Sequence, residues 1–356
     1  MLPPGSTIGM LGGGQLGRMT ALAAARLGYL VHVYAPEEDN PTEQVCDRAT
    51  HAAYDDTDAL NAFAASVDVV TYEFENVPVT AAETLAGLVP VRPAPDWLRV
   101  AQDRRREKEF VRAAGADTAA YRAVEAASDL ADAAALLPGI LKTAQSGYDG
   151  KGQIRVSTAA NLAAAWDELG QVPCVLESLV PFVCEVSVIV AGATDGTVRS
   201  FPVARNDHRD QILSETNVPA NVPPGTEARA KALAESIARH GGLEGLLAVE
   251  MFVLADGSLL VNELAPRPHN SGHWSMDACE TDQFEQCVRA VCGLPLGGVG
   301  VLYPAKMVNL LGDDVDRWPA LLGEPNARLH LCGKGEARPG RKMGHVNYIF
   351  PDGRPD

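Results

Sequence analysis

The stretch that most constrains this chain is residues 248–273, AVEMFVLADGSLLVNELAPRPHNSGH, because it sets ionisable side chains inside strands that read as buried. An apolar run carrying one carboxylate, Glu250, reaches Asp256-Gly257 and returns as a second apolar run, with Asn262-Glu263 at its end. Asp-Gly between two apolar runs is a strong hairpin signal, since the turn needs positive φ. Such a hairpin brings Glu250 and Glu263 together from its two arms. Burying an unpaired carboxylate is expensive, so two of them in apolar strands need a reason. Together with the Asn262 carboxamide they form the all-oxygen set that Mg²⁺ prefers, with phosphate oxygens completing the octahedron. The plainer alternative is two carboxylates salt-bridged at a sheet edge. Arg267, His269, Asn270 and His273 follow in a loop punctuated by prolines.

Upstream, the pattern alternates between strand and helix. A short apolar strand near 7–11 runs into Gly12-Gly13-Gly14-Gln15-Leu16-Gly17, then a helix to about 27 and a strand near 30–34. This is a β-α-β unit whose glycines let a ligand approach a helix N-terminus, where free N–H groups favour anions. A dinucleotide site is one reading, because Glu37 lies about 20 residues on, where a ribose-binding acid would sit. A tight turn without ligand is the other. A helix near 58–66 and a strand near 67–72 lead to Glu73-Phe74-Glu75-Asn76. Ligands of open parallel sheets gather at the carboxyl ends of strands, which makes Glu75 a substrate-contact candidate. A strand near 88–91 and the prolines at 93 and 95 mark a boundary.

Composition narrows the function classes. At 356 residues the chain predicts two or three domains. A net charge of −16 argues against nucleic acid or an anionic membrane as partner. Seven cysteines without a Cys-x-x-Cys read as reduced thiols of a cytoplasmic protein, not as a disulfide frame or zinc site. The N-terminus lacks the features of a signal peptide, and no apolar run has the length of a membrane span.

In the middle, residues 102–113 form a charged helical pattern, 128–137 a second helix, and 139–143 a strand containing Lys142. Gly147-Tyr148-Asp149-Gly150-Lys151-Gly152-Gln153 follows, a glycine-rich turn between strands. Lysine beside such a loop suits phosphate, the ammonium supplying charge and the loop amides wrapping oxygens. It is not a P-loop, and a flap closing over a nucleotide fits better. The strand at 174–177 ends in Glu177-Ser178-Leu179-Val180, a connector of the kind whose backbone groups hold adenine. Strands at 184–192 and 197–206 form a hairpin across Asp195-Gly196, with Glu185 near its start and His208 just past its end. Each of these two is read either as a nucleotide contact or as a satisfied surface group.

Taken together, Lys142, GYDGKGQ (147–153), ESLV (177–180), Glu185, His208, Glu250 and Asn262-Glu263 resemble the ATP-grasp superfamily in order and spacing. More narrowly, GGGQLGRM (12–19), YEFENV (72–77), NDHRDQIL (206–213), NELAPRPHNSGH (262–273) and KMVNLLG (306–312) look like the N5-carboxyaminoimidazole ribonucleotide synthase family. The resemblance runs from about Ile8 to Val346, most thinly over the last 40 residues or so.

It implies an α/β fold, α+β in its central region: an ATP-grasp enzyme with an N-terminal Rossmann-like parallel-sheet domain (1–98), an ATP-grasp domain (99–298, flap about 115–178) and a small C-terminal β-rich domain (299–356). The implied reaction joins aminoimidazole ribonucleotide and bicarbonate at the expense of ATP in purine biosynthesis. By the same resemblance, Arg104, Lys142, Gly147 to Gln153, Glu177 to Val180, Glu185, His208, Asn262 and Glu263 would bind ATP. Glu250 and Glu263 would hold Mg²⁺. Gln15, Leu16, Glu75, Asn270, Lys334, Arg341 and Lys342 would bind the ribonucleotide. Arg267 and His269 would hold bicarbonate or its phosphorylated form, with Lys142, Tyr148 and Lys151 beside the transferred group. Lys151 stands where arginine also occurs in the family, and Arg105 and Arg106 adjoin Arg104. A homodimer is a further implication of the resemblance. The rival readings are a formate-dependent glycinamide ribonucleotide transformylase, a sister ATP-grasp enzyme, and a nicotinamide-dependent oxidoreductase, favoured by the first β-α-β unit alone.

Overall fold

A computed structural model of the chain describes residues 1–145 and 152–353. The first sheet holds β1 (Thr7–Leu11), β2 (Leu30–Tyr34), β3 (Arg48–Thr50) and β4 (Val69–Tyr72) in the order β3-β2-β1-β4, every pair parallel. Helices α1 (Gln15–Arg26), α2 (Thr57–Ala64) and α3 (Val79–Ala86) accompany it. β1 and β4 are almost wholly buried, as strands covered on both faces are. The strand expected at 88–91 is reduced to one parallel bridge, Val70 to Val91, because Pro90 has no N–H to extend a ladder. Helix α4 (Pro95–Ala101) leads to α5 (Arg104–Ala113), whose N-cap Asp103 accepts the Arg105 N–H.

A second, antiparallel sheet orders β5 (Tyr121–Val124), β6 (Gly139–Thr143), β7 (Gln153–Val156) and β8 (Cys174–Ser178) as β5-β8-β6-β7. Its core joins Leu141 and Leu176 to Leu162 and Trp166 of α7 (Ala159–Glu168). The helix expected at 128–137 is only one α turn, α6 (Leu130–Ala133), between 3-10 turns. Pro138 holds Leu137 extended at φ −72° and ψ 145°, which stops the helix before it.

The large sheet contains β9 (Phe182–Gly192), β10 (Val198–Ser200), β11 (Ala204–Arg209), β12 (Ile212–Val218), β13 (Gly245–Leu254), β14 (Leu259–Ala265), β15 (Ala305–Leu311), β16 (Ala327–Leu331) and β17 (Lys342–Ile349). Its order is β14-β13-β9-β11-β12-β15-β17-β16, with β10 on β9. The strand expected at 197–206 is split into β10 and β11 around Pro202. β15 pairs antiparallel with β12, so the C-terminal strands continue this sheet. On β13, Val249, Met251 and Val253 face the core shared with Ala230, Ala234 and Ile237 of α8 (Pro224–His240), while Glu250 and Phe252 are half-buried on the other face. Three further helices complete the chain: α9 (Ser275–Ala278), α10 (Gln283–Val291) and α11 (Trp318–Leu322). Met19 and Ala23 of α1 share a core with Cys287, Val288 and Val291 of α10, which fastens the first sheet unit to the large one.

Candidate active site

The hairpin of β13 and β14 sets Glu250 directly opposite Glu263. Its turn differs in type from the sequence expectation. Gly257 alone takes positive φ, at +79°, closing a three-residue loop between Leu254 and Ser258. The pairing then slips, Met251 facing Val261, so Asn262 is the extra residue of a bulge. A bulge re-aims side chains locally, and here it does so beside two carboxylates. Burial and the neighbouring Glu263 push the Glu250 carboxyl up to about 7. Glu107 of α5 adds a third carboxylate. It accepts the Leu264 N–H at 2.6 Å, and burial together with Glu263 holds it well above the usual carboxylate range.

Among the described residues, no cluster of three or more His, Cys, Asp or Glu is arranged to hold a metal by itself. Mg²⁺ usually takes only one or two carboxylates and leaves the rest to phosphates and water. Two hard carboxylate donors set face to face, one of them with its proton affinity raised by burial and by the other, are a donor set that a divalent cation relieves, so Glu250 and Glu263 fit Mg²⁺.

Cations line the adjoining wall. Arg104 Nη1 is 3.9 Å from Glu263 Oε2, whereas Arg105 pairs with Asp103 and Glu125, and Arg106 is exposed. Four residues on from Arg104, and so on the same helical face, Lys108 reaches Glu177 Oε1 at 2.8 Å. Lys142 of β6 reaches Glu177 Oε2 at 2.9 Å. All three of these residues are buried. Burial alone would raise the Glu177 carboxyl, but Lys142 and Lys108 outweigh it and hold it at about 2. One carboxylate shared by two ammonium groups leaves net positive charge facing the cleft. Sequence reasoning missed Lys108 and Glu107, although their spacing of four and three from Arg104 was the available signal.

Past Glu177, the Ser178 and Leu179 amides donate to the carbonyls of Ala120 and Pro138, at 2.9 and 3.1 Å. Phe182 and Phe252 stack at 4.7 Å between centroids, Phe252 lying two residues along the Glu250 face. That aromatic pair was also missed, and period-two alternation from Glu250 pointed to it. His208 Nδ1 lies 2.7 Å from Glu185 Oε2. Burial would lower the imidazole pKa, but the neighbouring Glu185 carboxylate outweighs it and raises the pKa. Of the glycine-rich segment, Gly147, Tyr148, Asp149, Gly150 and Lys151 lie outside the described residues. Gly152 accepts the Thr143 N–H at 2.8 Å, and the Gln153 amide meets Gln211.

On the other flank, Arg267 pairs with Glu75 across the two sheet units. Burial would raise the Glu75 carboxyl, but Arg267 overrides it and holds Glu75 at about 2. His269 Nε2 lies 3.5 Å from Glu250 Oε1, and burial followed by the Arg267 charge lowers its pKa to about 3. Lys342 of β17 donates to Asn270 Oδ1, so two of the expected ribonucleotide residues meet from distant parts of the chain. Arg341 is turned onto the Glu336 carbonyl at 2.8 Å. Lys334 follows Gly333, whose carbonyl accepts from Gln44 at 2.6 Å, and Gln44 in turn accepts from Arg18 of α1 at 2.8 Å. His273 is buried and packs on His345 at 4.7 Å between centroids.

The glycine turn departs from expectation. Its helix N-terminus is filled by the chain's own carboxylate: Glu73 accepts the Gly14 N–H at 2.8 Å and the Gly17 N–H at 3.4 Å. A Cβ on Gly14 would lie 2.5 Å from Glu73 Oε1, so the glycine makes room for that side chain. A dinucleotide pyrophosphate seated on these amides would collide with it, which removes the basis of the nicotinamide reading. Gln15 remains half-buried at the start of α1, and Leu16 enters the core.

Comparison with known proteins is consistent along the chain. Residues 5–102 match the ribonucleotide synthetase preATP-grasp domain, 109–284 the ATP-grasp domain, and 305–354 the phosphoribosylaminoimidazole carboxylase C-terminal domain. An N5-carboxyaminoimidazole ribonucleotide synthase of Brucella melitensis is 49% identical, over 98% of each chain. The crystal structure of an N5-carboxyaminoimidazole ribonucleotide synthetase in complex with ADP superposes with a TM-score of 0.95 at 44% identity, over 99% of this chain and 94% of that one. An N5-carboxyaminoimidazole synthase of Aspergillus clavatus in complex with ADP and 5-aminoimidazole ribonucleotide gives 0.91 at 32%, over 98% and 94%.

Proposed function

The chain belongs to the N5-carboxyaminoimidazole ribonucleotide synthase family of ATP-grasp ligases, and from that membership we propose that it carboxylates 5-aminoimidazole ribonucleotide with bicarbonate and ATP, as a step of purine biosynthesis. The observation that carries the reading is the gathering of charges around the β13–β14 hairpin: Glu250 faces Glu263, Arg104 lies 3.9 Å from Glu263, and His269, two residues past Arg267, lies 3.5 Å from Glu250.

Bicarbonate is a poor electrophile and has to be activated. One of its oxygens attacks the γ-phosphorus of ATP, ADP leaves, and carboxyphosphate results. The exocyclic amine of the ribonucleotide then attacks the carboxyl carbon and phosphate departs. Phosphoryl transfer asks for positioning and charge neutralisation more than for covalent catalysis. Lys142, relieved of half its carboxylate partner by Lys108, supplies positive charge to the phosphates, and Arg104 stands across from Glu263. Glu250 and Glu263 would hold Mg²⁺, which when bound neutralises phosphate charge. Phe252 and Phe182 offer an apolar face suited to adenine.

Arg267 supplies a planar fork matched to a carboxylate or phosphate, and its pairing with Glu75 orients that fork. Glu75 stays ionised at neutral pH and serves as an acceptor for ribonucleotide hydroxyl or amino groups, not as a proton carrier. Asn270 and Lys342 form a polar pair at the ribonucleotide end. Division of labour among three domains, a cytoplasmic location and a homodimer belong to the same proposal.

Measuring ADP release with and without aminoimidazole ribonucleotide and bicarbonate tests it. Release is expected only when both are present. Stimulation by formate and glycinamide ribonucleotide instead would overturn the assignment.

A further inference from the structure

The family reading gives His269 an anion to meet, but it does not say in which protonation form the ring meets it. The surrounding hydrogen bonds do. His269 caps the short turn Asn270–Gly272: its Nδ1 accepts the Ser271 amide N–H at 3.3 Å, and the Ser271 hydroxyl lies 2.9 Å from the same nitrogen. A backbone N–H can only donate, so Nδ1 is the unprotonated ring nitrogen and the ring's proton sits on Nε2. The Ser187 hydroxyl on β9 donates to Ser271 Oγ at 2.8 Å. Ser271 Oγ, already accepting from Ser187, turns its own hydrogen toward Nδ1. Both serines are buried, at 1% and 0% exposure, so water does not compete for these contacts.

The backbone of the same residue is clamped as well. Gln283, at the start of α10 and fully buried, accepts the His269 N–H at 2.9 Å and donates to the His269 carbonyl at 2.8 Å. Its Nε2 also lies 2.9 Å from His273 Nδ1. Gly272 leaves the space for this amide, since a Cβ there would lie 2.5 Å from Gln283 Oε1. The ring is therefore held at both its backbone and its inner nitrogen, while Nε2 is directed to the Glu250 side of the cleft.

We propose that Ser271, backed by Ser187, is a positioning residue that locks His269 with its proton on Nε2, so that the ring meets a bound anion as a hydrogen-bond donor and not as a base. What the ring meets rests on the function proposed above; where its proton lies does not. In that reaction the donor holds an oxygen of bicarbonate or carboxyphosphate. The proton shed by the amine as the carbon–nitrogen bond forms leaves on the departing phosphate, which becomes hydrogen phosphate as the carbon–oxygen bond breaks.

The test is a long-range ¹⁵N–¹H correlation spectrum of the uniformly labelled full chain without ligands, with His269→Gln identifying the ring's signals. The expected spectrum shows one tautomer, protonated at Nε2. Ser271→Ala keeps the 3.3 Å amide contact but loses the 2.9 Å hydroxyl contact, so it is expected to admit a minor Nδ1-protonated form and to lower kcat roughly 10–100-fold, the range usual for outer-shell partners, while KM for ATP stays unchanged. Ser187→Ala, which leaves the capping serine in place, gives the same spectral change in weaker form and decides the matter should Ser271→Ala fail to fold. A wild-type proton on Nδ1 would overturn the proposal. So would a Ser271→Ala or Ser187→Ala protein whose tautomer and kcat match the parent. Because the spectrum needs no substrate, it and the ADP-release assay fail independently.

Discussion

Glu73 and Glu250 lie in the two regions of this molecule that look most ready to bind an anion or a cation, and the fold treats them in opposite ways. Glu73 follows β4 and is buried against the glycine turn, where two backbone N–H groups meet its carboxylate. Glu250 lies inside β13 opposite Glu263, and what faces it is a second negative charge. The first carboxylate finds hydrogen-bond donors within the chain, although burial still raises its pKa, and the second is left for something the chain does not contain. A compensated motif is architecture even when its residues spell a ligand site; an uncompensated one predicts a ligand.

Arg267 touches both halves of that contrast, since its charge pulls down the burial-raised carboxyl pKa of Glu73 and of Glu250 alike while it pairs with Glu75. Arg267→Ala should therefore produce the largest effect, a loss of turnover of roughly 10³–10⁵, the value of a transition-state arginine elsewhere. ADP titration should show nucleotide binding largely intact. Near-normal turnover would remove Arg267 from the reaction altogether.

Glu250→Gln comes next. In the folded chain the Glu250 carboxyl sits at about 7 against an ordinary 4.5, so the folded state binds that proton more tightly. Its contribution to stability is full below pH 4.5 and is lost as pH rises to 7. The variant, which cannot ionise there, should lose less stability across that interval when melted without ligands, while its turnover falls on the order of a hundredfold. Identical slopes for the two proteins would mean that Glu250 is compensated after all.

Lys108→Met removes one of the two ammonium groups on Glu177 and lets the carboxylate neutralise Lys142. ATP affinity, measured calorimetrically, should fall about tenfold, with partial recovery in Lys108→Arg; charged hydrogen bonds are worth about 1.5–3 kcal/mol. Unchanged affinity would show that Lys108 only fills space. The smallest effect belongs to Glu73→Gln, which keeps an acceptor at the turn and forfeits the charge. A change of about 0.3–1 kcal/mol in denaturant unfolding is expected, with turnover preserved. A large loss of turnover would break the contrast between Glu73 and Glu250.

Much of the site was legible from local pattern. Asp256-Gly257 between apolar runs located the hairpin, and carboxylates in strand positions marked Glu250 and Glu263 as unusual before any contact was known. Lys142, Arg267, His269 and Asn270 stand in short motifs whose order resembles the family, and the fold brings Asn270 to Lys342 and Arg267 to Glu75. The bulge at Asn262 was not legible, because a one-residue slip leaves no trace in apolar alternation. The glycine turn misled for a related reason. Gly14 and Gly17 look the same in sequence whether their amides face a phosphate or a glutamate 59 or 56 residues away.

What the sequence determined by itself was whatever depends on neighbours along the chain: the β-α-β start, the hairpin and the order of the motifs. Tertiary structure alone decided which charge answers which. Glu75 and Arg267 are 192 residues apart, and Leu264 donates to Glu107 across 157. Backbone preferences act over a few residues, whereas electrostatic compensation depends on distance in space and on the exclusion of water. Only the packed fold sets those two quantities, and they separate the filled turn at Glu73 from the open hairpin at Glu250.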